Sequence, residues 1–145
     1  MKKVNIFLDD DREPTFIKNK LGFPHKGNYT DDTFYPKDWI VVRDYFQFVK
    51  AVDKYFPNIN LVSFDHDIKC FDKNNKEWTG KDAADYLIGK CLDTGEAFPN
   101  FYVHTMNTSG RMNIIGIILN YLKHVENKKL DWRYYNNGLI NGEII

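Results

Sequence analysis

The chain has 145 residues, the size of one compact domain, and 43% of them are hydrophobic, which is enough for a packed core. Its 20 Lys and Arg residues balance its 20 Asp and Glu residues, which excludes a protein that binds nucleic acid or an anionic membrane with its whole surface. Two cysteines are too few for a disulfide-rich secreted fold or a four-thiolate zinc site. Any charged site must therefore be local, and we expect one domain over residues 1–145.

The N-terminal segment predicts a buried strand followed by a loop. Residues 4–8 form a short apolar run that ends at Asp9, Asp10 and Asp11, as is typical of a buried strand that stops at a polar edge. Residues 13–38 contain three prolines, two glycines and a polar run, which predict a long surface loop instead of a long helix. A loop of this length often flanks or covers a site.

The same N-terminal run bears on localisation. It is too short for a signal peptide, and no stretch approaches the roughly 18 apolar residues of a membrane span. We therefore expect a cytoplasmic protein without a membrane partner. The excess of Lys over Arg suggests an A/T-rich coding genome, and so a bacterial or phage protein that works in the bacterial or host cytoplasm.

The middle of the chain predicts a strand, a helix and another strand. Residues 39–43 are a strand candidate, and residues 44–56 carry apolar side chains at helical spacing behind an aspartate N-cap. Residues 60–64 predict the next strand, which again ends at acidic side chains, Asp65 and Asp67.

The second half continues this alternation. Residues 70–78 predict a polar loop, and residues 79–92 a helix that starts at a threonine cap. Residues 100–104 predict a strand, and residues 111–125 a helix that follows a polar turn. The tail, residues 126–145, predicts a last strand or hairpin.

This order of elements indicates a single α/β domain. Strands that alternate with helices predict a mostly parallel sheet with helices on both faces, and a core over about residues 4–125. In such sheets the ligand binds at the carboxyl ends of the strands, near the point where the strand order reverses. Three segments with polar side chains end strands here: residues 9–11, 65–67 and 104–107.

The acidic side chains at these strand ends predict a metal site. Carboxylates that lie close together repel one another unless a cation sits among them. Oxygen ligands without cysteine favour a hard ion. We therefore expect Mg²⁺ or Mn²⁺ bound by some of Asp9, Asp10, Asp65 and Asp67.

The remaining polar residues predict a phosphate pocket. A polar turn that opens a helix offers free backbone N–H groups, and a guanidinium can bind phosphate oxygens with two hydrogen bonds. Imidazole exchanges protons near neutral pH, which makes His66 and His104 candidates for proton transfer. The candidate phosphate-binding residues are Arg12, Thr105, Asn107 and Arg111.

Each of these patterns has an ordinary alternative. An Asp run after a strand is more often a solvated turn or a helix cap than a metal site. Arg12 is alternatively a structural partner of the acids, Asn107 a turn residue and Thr105 a cap. The shared site is favoured because one sheet edge collects all three segments.

Three segments resemble the motifs of one known family. They are residues 8–14 (LDDDREP), 63–67 (SFDHD) and 104–113 (HTMNTSGRMN). Their order and spacing resemble the cyclic-phosphate processing receiver domains, whose pattern is roughly LDDxRxP, SFDHDL and HSxNxxGxxNM. The resemblance runs from about residue 4 to residue 120, and it implies a receiver-like, flavodoxin-like three-layer sandwich.

The resemblance also implies roles for individual residues. In the similar response-regulator receivers, an acidic pair after strand one binds Mg²⁺ beside a phosphoacceptor Asp after strand three. By motif, Asp9 and Asp10 match that pair and Asp65 matches the phosphoacceptor. The chain departs from the response regulators, because it lacks their lysine after a fifth strand and carries His66 and His104 instead. These departures favour a pocket that acts on phosphate esters over a phosphorylation switch.

We therefore predict a metal-dependent phosphoesterase that acts on a cyclic or terminal phosphate of a nucleotide or RNA end. Its catalytic residues are Asp65, His66 and His104. Two alternatives stay open. One is a non-catalytic module that binds a nucleotide or a protein partner, and the other is a phosphoacceptor receiver domain. Nothing in the sequence points to duplex DNA as a partner.

Overall fold

The structure is a computed structural model that describes residues 2–16 and 36–127, together with the backbone of two short strands near the C-terminus. In chain order the strands are β1 (Val4–Leu8), β2 (Ile40–Val42), β3 (Ile59–Phe64), β4 (Cys70–Phe71), β5 (Glu77–Trp78), β6 (Asn100–Val103), β7 (Leu139–Ile140) and β8 (Glu143–Ile144). The helices are α1 (Tyr45–Tyr55), α2 (Gly80–Thr94) and α3 (Thr108–His124).

The main sheet has the strand order β2-β1-β3-β6-β7-β8. The first four of these strands are parallel, and β7 and β8 are antiparallel to their neighbours. The chain runs from β1 to β2 on one side and returns past β1 to β3 on the other, so the strand order reverses at β1. This is the flavodoxin-like order, and it confirms the predicted α/β class with a mostly parallel sheet.

The three helices start at side chains that accept hydrogen bonds from free N–H groups. Asp44 accepts from the N–H of Gln47 at 2.8 Å at the start of α1, and Asp82 accepts from Thr79 at 2.8 Å at the start of α2. The third helix begins three residues earlier than predicted, at Thr108, because Asn107 is its N-cap. The predicted polar turn is therefore the first turn of α3.

The core lies between the sheet and a single layer of helices, in which α2 packs against both α1 and α3. It contains side chains from one face of the sheet, with Ile6 and Leu8 from β1 and Val62 and Phe64 from β3. The opposite face carries other buried side chains, among them Phe7, Leu61 and Tyr102. The three helices predicted from the sequence all lie in that single layer, so within the described residues these helices cover one face of the sheet and not both.

The segment 70–78 differs from its prediction, because it is a short antiparallel hairpin and not a loop. Asp72 organises its turn by accepting from the N–H groups of Asn74 and Lys76, at 2.8 and 3.0 Å. The indole N–H of Trp78 donates to the other oxygen of Asp72 at 3.1 Å. Local side-chain hydrogen bonds therefore stabilise a hairpin that has no apolar alternation.

Two further predictions concern the C-terminal tail and the loop over residues 13–38. The predicted tail hairpin is confirmed by β7 and β8, which pair antiparallel. The predicted loop over residues 13–38 lies mostly outside the described residues, which include only its ends, up to Phe16 and from Pro36. Among the helices that are described, none combines the length and the apolar character that crossing a membrane would require.

Candidate functional site

The sheet aligns the first residue of each predicted motif at one edge. The backbone N–H groups of Asp9, Asp65 and His104 each donate to a carbonyl of the neighbouring strand, at 3.1, 3.0 and 2.9 Å. Each residue immediately follows a strand, so the parallel hydrogen-bonding pattern extends one residue beyond the sheet. This edge lies where the strand order reverses, and it brings the three segments together as predicted.

The Asp9 carboxylate is buried and accepts four hydrogen bonds. Its donors are the backbone N–H groups of Asp11 and Arg12 at 2.9 and 2.8 Å, Nε of Arg12 at 2.8 Å and Nε2 of His104 at 3.0 Å. Burial favours the neutral acid, but the hydrogen bonds from His104 and from the two backbone groups outweigh it and hold the pKa of Asp9 well below its ordinary value. Asp9 is therefore ionised, and its oxygens are saturated with donors.

His104 lies behind Asp9, with no exposed side-chain surface. Its Nδ1 is 2.7 Å from Oγ of Ser63, and its ring stacks on Phe7 with 4.7 Å between the ring centroids. Burial lowers the pKa of His104, although Asp9 opposes this shift. A neutral imidazole that donates from Nε2 to Asp9 leaves Nδ1 to accept from the Ser63 hydroxyl, so these two contacts select one tautomer.

Asp65 has the opposite electrostatic environment. Its side chain is 6% exposed, and Nη2 of Arg12 lies 3.4 Å from its Oδ1, a longer contact than the 2.8 Å between Arg12 and Asp9. Burial, followed by the negative charge of Asp9, raises the pKa of Asp65 to about 6, while Arg12 and a hydrogen bond with Thr105 oppose the shift. Two carboxylates at the same sheet edge thus differ strongly in acidity, which is typical of groups with different chemical roles.

Arg12 occupies the space between these two acids. A ligand atom from each of Asp9, Asp65 and His104 lies within 4.8 Å of the other two, as a metal site requires. The guanidinium of Arg12, however, already contacts both carboxylates. A metal ion in this position would have to displace Arg12 and break the hydrogen bond between His104 and Asp9.

The third acid, Asp67, is held by neighbours from two segments. Its Oδ1 lies 2.8 Å from Nδ1 of His66, and its Oδ2 accepts from Nδ2 of Asn107 at 3.0 Å. These contacts, that of His66 first, lower the pKa of Asp67. Asn107 also caps α3, because its Oδ1 accepts from the N–H of Gly110 at 2.9 Å. One side chain therefore links the start of α3 to the acidic cleft.

Two glycines allow His66 to lie against the helices. A Cβ atom on Gly110 would lie 2.4 Å from Cγ of His66, and one on Gly80 would lie 1.7 Å from the carbonyl oxygen of Asp65. Any larger residue at either position would push the segment 65–67 out of place. Neither glycine was assigned a role from the sequence, since a close approach of this kind depends on the tertiary structure.

The acidic side chains line a small cleft of about 230 Å³. Its lining residues are Asp9, Asp10, Asp11, Arg12, Asp65, Asp67, Lys69, Thr105, Met106 and Asn107. A larger cavity, of about 560 Å³, lies at the opposite ends of β1 and β2 and contains none of the predicted motifs. We take the smaller cleft as the candidate site, because the convergent charged groups are there.

The cleft includes seven of the ten predicted site residues. The three that do not line it are His66, His104 and Arg111. Nε of Arg111 is buried without a hydrogen-bond partner, and burial lowers the pKa of this guanidinium. Arg111 therefore does not line the cleft, although its charge contributes to lowering the pKa of His104. Each histidine contacts a carboxylate that does line it, Asp9 for His104 and Asp67 for His66.

Three cleft residues were not predicted: Asp11, Met106 and Lys69. Nζ of Lys69 lies 3.9 Å from Oδ2 of Asp10. The sequence places this lysine just beyond the Asp65 motif, but its direction depends on a backbone turn that no local pattern revealed. Met106 is adjacent to two predicted phosphate-binding residues and is 76% exposed.

Comparisons with known proteins bear on the same segments. The family model of the cyclic-phosphate processing receiver domain matches residues 4–120, a range that contains all three strand-end motifs. No curated protein matches the chain. No solved structure matches it either.

Proposed function

Because the chain belongs to the family of cyclic-phosphate processing receiver domains, we propose that it is a metal-dependent phosphoesterase. Its substrate is a cyclic or terminal phosphate on a nucleotide or an RNA end. The observation that carries the proposal is the charge of the cleft, which five carboxylates and two cations line. With all five acids ionised, a phosphate anion would meet net repulsion there unless a cation entered with it.

The donor set fits a hard divalent ion. The cleft offers carboxylate oxygens and no thiolate, which suits Mg²⁺ or Mn²⁺. Asp9 already accepts four hydrogen bonds, so we assign the ion to Asp65 together with Asp10, another carboxylate of the cleft lining. When bound, such an ion would neutralise charge on the phosphate oxygens and make a bound water more acidic.

The chain's own groups then supply orientation and proton transfer. In the hydrolysis of a cyclic phosphate, a water oxygen forms a bond to phosphorus and one ribose–oxygen bond to phosphorus breaks. Asp67 would accept the proton of the water, and Nδ1–H of His66, 2.8 Å from its Oδ1, would hold the carboxylate in position. The proton removed from the water is then delivered to the released ribose oxygen, so the products are a phosphate monoester and a free hydroxyl.

Other cleft residues would bind the phosphate. The Thr105 hydroxyl accepts from the N–H of Asn107 at 3.1 Å, and both residues line the cleft beside Asp65. Nη2 of Arg12 points toward Asp65 on the other side. Pre-positioned donors of this kind stabilise the negative charge that develops on phosphate oxygens. His104 has no exposed side-chain surface, so its role is to hold Asp9 and through it Arg12.

The test is hydrolysis of nucleoside 2′,3′-cyclic phosphates and terminal phosphates with Mg²⁺ or Mn²⁺, compared with a chelator. We expect product only with metal, and a loss of about 10²-fold or more for Asp65→Asn and Asp67→Asn. Asp93→Asn is the matched control, because Asp93 is exposed on α2 away from the cleft. Absence of product from every phosphate tested, with either metal, would contradict the proposal.

One observation also favours the phosphoacceptor alternative. Lys69 brings a cation to the cleft of Asp65, although the lysine of ordinary receivers is missing from the sequence. Incubation with acetyl phosphate and Mg²⁺, followed by intact mass measurement, distinguishes the two functions. A stable phosphoryl group on Asp65 without turnover of cyclic phosphates would favour the receiver, whereas binding of a nucleotide without either reaction would favour a binding module.

A further inference from the structure

Lys69 is a cleft residue that the proposed mechanism does not yet use. It follows the Asp65 motif, and its Nζ lies 3.9 Å from Oδ2 of Asp10. That distance is at the limit of an ion pair, and 85% of the Lys69 side chain is exposed. The contact with Asp10 is therefore weak and easily exchanged for another anion.

The backbone of Lys69 has an unusual conformation. Lys69 has φ of +47°, a left-handed conformation that residues other than glycine rarely adopt. Its neighbours Ile68 and Cys70 are 2% and 6% exposed, so both are anchored in the core. These two buried neighbours hold Lys69 in this conformation, and its side chain lines the cleft. Strain that persists between buried neighbours is typical of functional positions.

The two cations of the cleft are not equivalent. Arg12 contacts Asp9 at 2.8 Å and Asp65 at 3.4 Å, so binding an anion would weaken existing contacts of the guanidinium. Lys69 has only the long contact with Asp10 among the ion pairs of the described residues. It can turn toward a phosphate at little cost, and a compact ammonium suits a phosphate as a point charge.

We infer that Lys69 binds the phosphate of the substrate at the mouth of the cleft. The inference rests on the proposed function, because it names the group that draws the phosphate into an acidic site. It predicts that Lys69 contributes mainly to the affinity for phosphate and little to the chemical step.

The experiment uses three variants of the full chain. Lys69→Gly removes the ammonium and keeps the positive φ, which glycine adopts without strain. Lys69→Arg keeps the charge. Lys73→Ala removes one charge from the neighbouring hairpin turn and is the matched control, because Lys73 is exposed and does not line the cleft. Each variant is titrated with inorganic phosphate in the presence of Mg²⁺ by calorimetry, and KM and kcat are measured where turnover is found.

We expect Lys69→Gly to weaken phosphate binding about tenfold and to raise KM by a similar factor, with kcat within about twofold of the wild type. Lys69→Arg and Lys73→Ala should bind phosphate as the wild type does. Unchanged phosphate binding in Lys69→Gly, or an equal loss in Lys73→Ala, would overturn the inference. The phosphate titration needs no turnover, so its result separates failure of this inference from failure of the proposed activity.

Discussion

Nε2 of His104 lies 3.0 Å from Oδ2 of Asp9, and neither side chain has any exposed surface. The pair joins two segments that are 95 residues apart in the chain. Because the imidazole is out of reach of the cleft, its effect on any reaction must pass through Asp9 and Arg12. The first prediction follows from this geometry.

Replacement of His104 should separate positioning from proton transfer. His104→Ala leaves a buried carboxylate short of one donor and creates a cavity, so we expect the free energy of unfolding to fall by about 2–4 kcal/mol and turnover by about 10²-fold. His104→Gln retains an amide N–H that can donate to Asp9, and we expect it to recover much of both losses. Urea unfolding and steady-state kinetics measure the two effects. If His104→Gln were stable but as inactive as His104→Ala, the imidazole itself would be required for proton transfer.

Asp65 should destabilise the metal-free protein at neutral pH. Its pKa of about 6 in the folded state lies above the ordinary value of 3.8. Between these two pH values the folded state therefore keeps a proton that the unfolded state has lost. The contribution of Asp65 to stability therefore falls as pH rises from about 4 to about 6 and stays low above that. We expect Asp65→Asn to be more stable than the wild type by roughly 1–3 kcal/mol at pH 8, with little difference at pH 4.

The measurement for Asp65 is chemical unfolding between pH 4 and pH 8 with a chelator present. Asp93→Asn on the exposed side of α2 is the control for loss of a surface charge. A gain in stability for Asp65→Asn that did not change with pH would show that the raised pKa is not its cause. Addition of Mg²⁺ should reduce the advantage of the variant at pH 8, because a bound cation stabilises the ionised carboxylate of the wild type.

Asp9 should have the opposite pH dependence. Its pKa is lowered in the folded state, so its ionised form stabilises the fold at every pH above the ordinary value of 3.8, and this contribution is lost as pH falls below that value. We expect Asp9→Asn to lower the free energy of unfolding by about 2–4 kcal/mol at pH 7. This difference from the wild type should become smaller as pH falls below 3.8. Unfolding measured from pH 2.5 to pH 7 tests this. A deficit that stayed constant over that range would contradict it.

Gly110 offers a steric test of the His66 position. In Gly110→Ala the new methyl group would lie 2.4 Å from Cγ of His66, so the ring must move and its contact with Asp67 must weaken. We expect a loss of about 1–3 kcal/mol in the free energy of unfolding and a parallel loss of turnover. Gly116→Ala in the same helix is the control, because a Cβ there has no atom within 4 Å.

The control should be stabilised by up to about 1 kcal/mol, since alanine favours a helix more than glycine does. The nuclear magnetic resonance signals of the His66 ring report its displacement directly. Equal behaviour of the two glycine variants would mean that α3 shifts to accommodate the methyl group and that His66 is not held by this contact.

Local patterns were sufficient for most elements of the fold. An apolar run that ends in acids predicts β1 and β3 because a buried strand must stop where the chain becomes polar. The helices α1 and α2 follow from capping residues and apolar spacing, both of which act within a few residues. The hairpin of β4 and β5 was predicted as a loop, because it depends on the hydrogen bonds of a single side chain, Asp72, and not on apolar alternation.

For the candidate site, the sequence and the tertiary structure determine different properties. That Asp9, Asp65 and His104 share one edge follows from the sequence, because parallel strands place their carboxyl ends side by side. The burial of His104 behind Asp9, the proton affinity of Asp65 and the presence of Lys69 in the cleft do not. Each depends on neighbours that are distant in the chain or on a backbone angle at one residue. Residue types and their order therefore decide which chemical groups reach the edge of the sheet, while desolvation and long-range hydrogen bonds decide what each group does there.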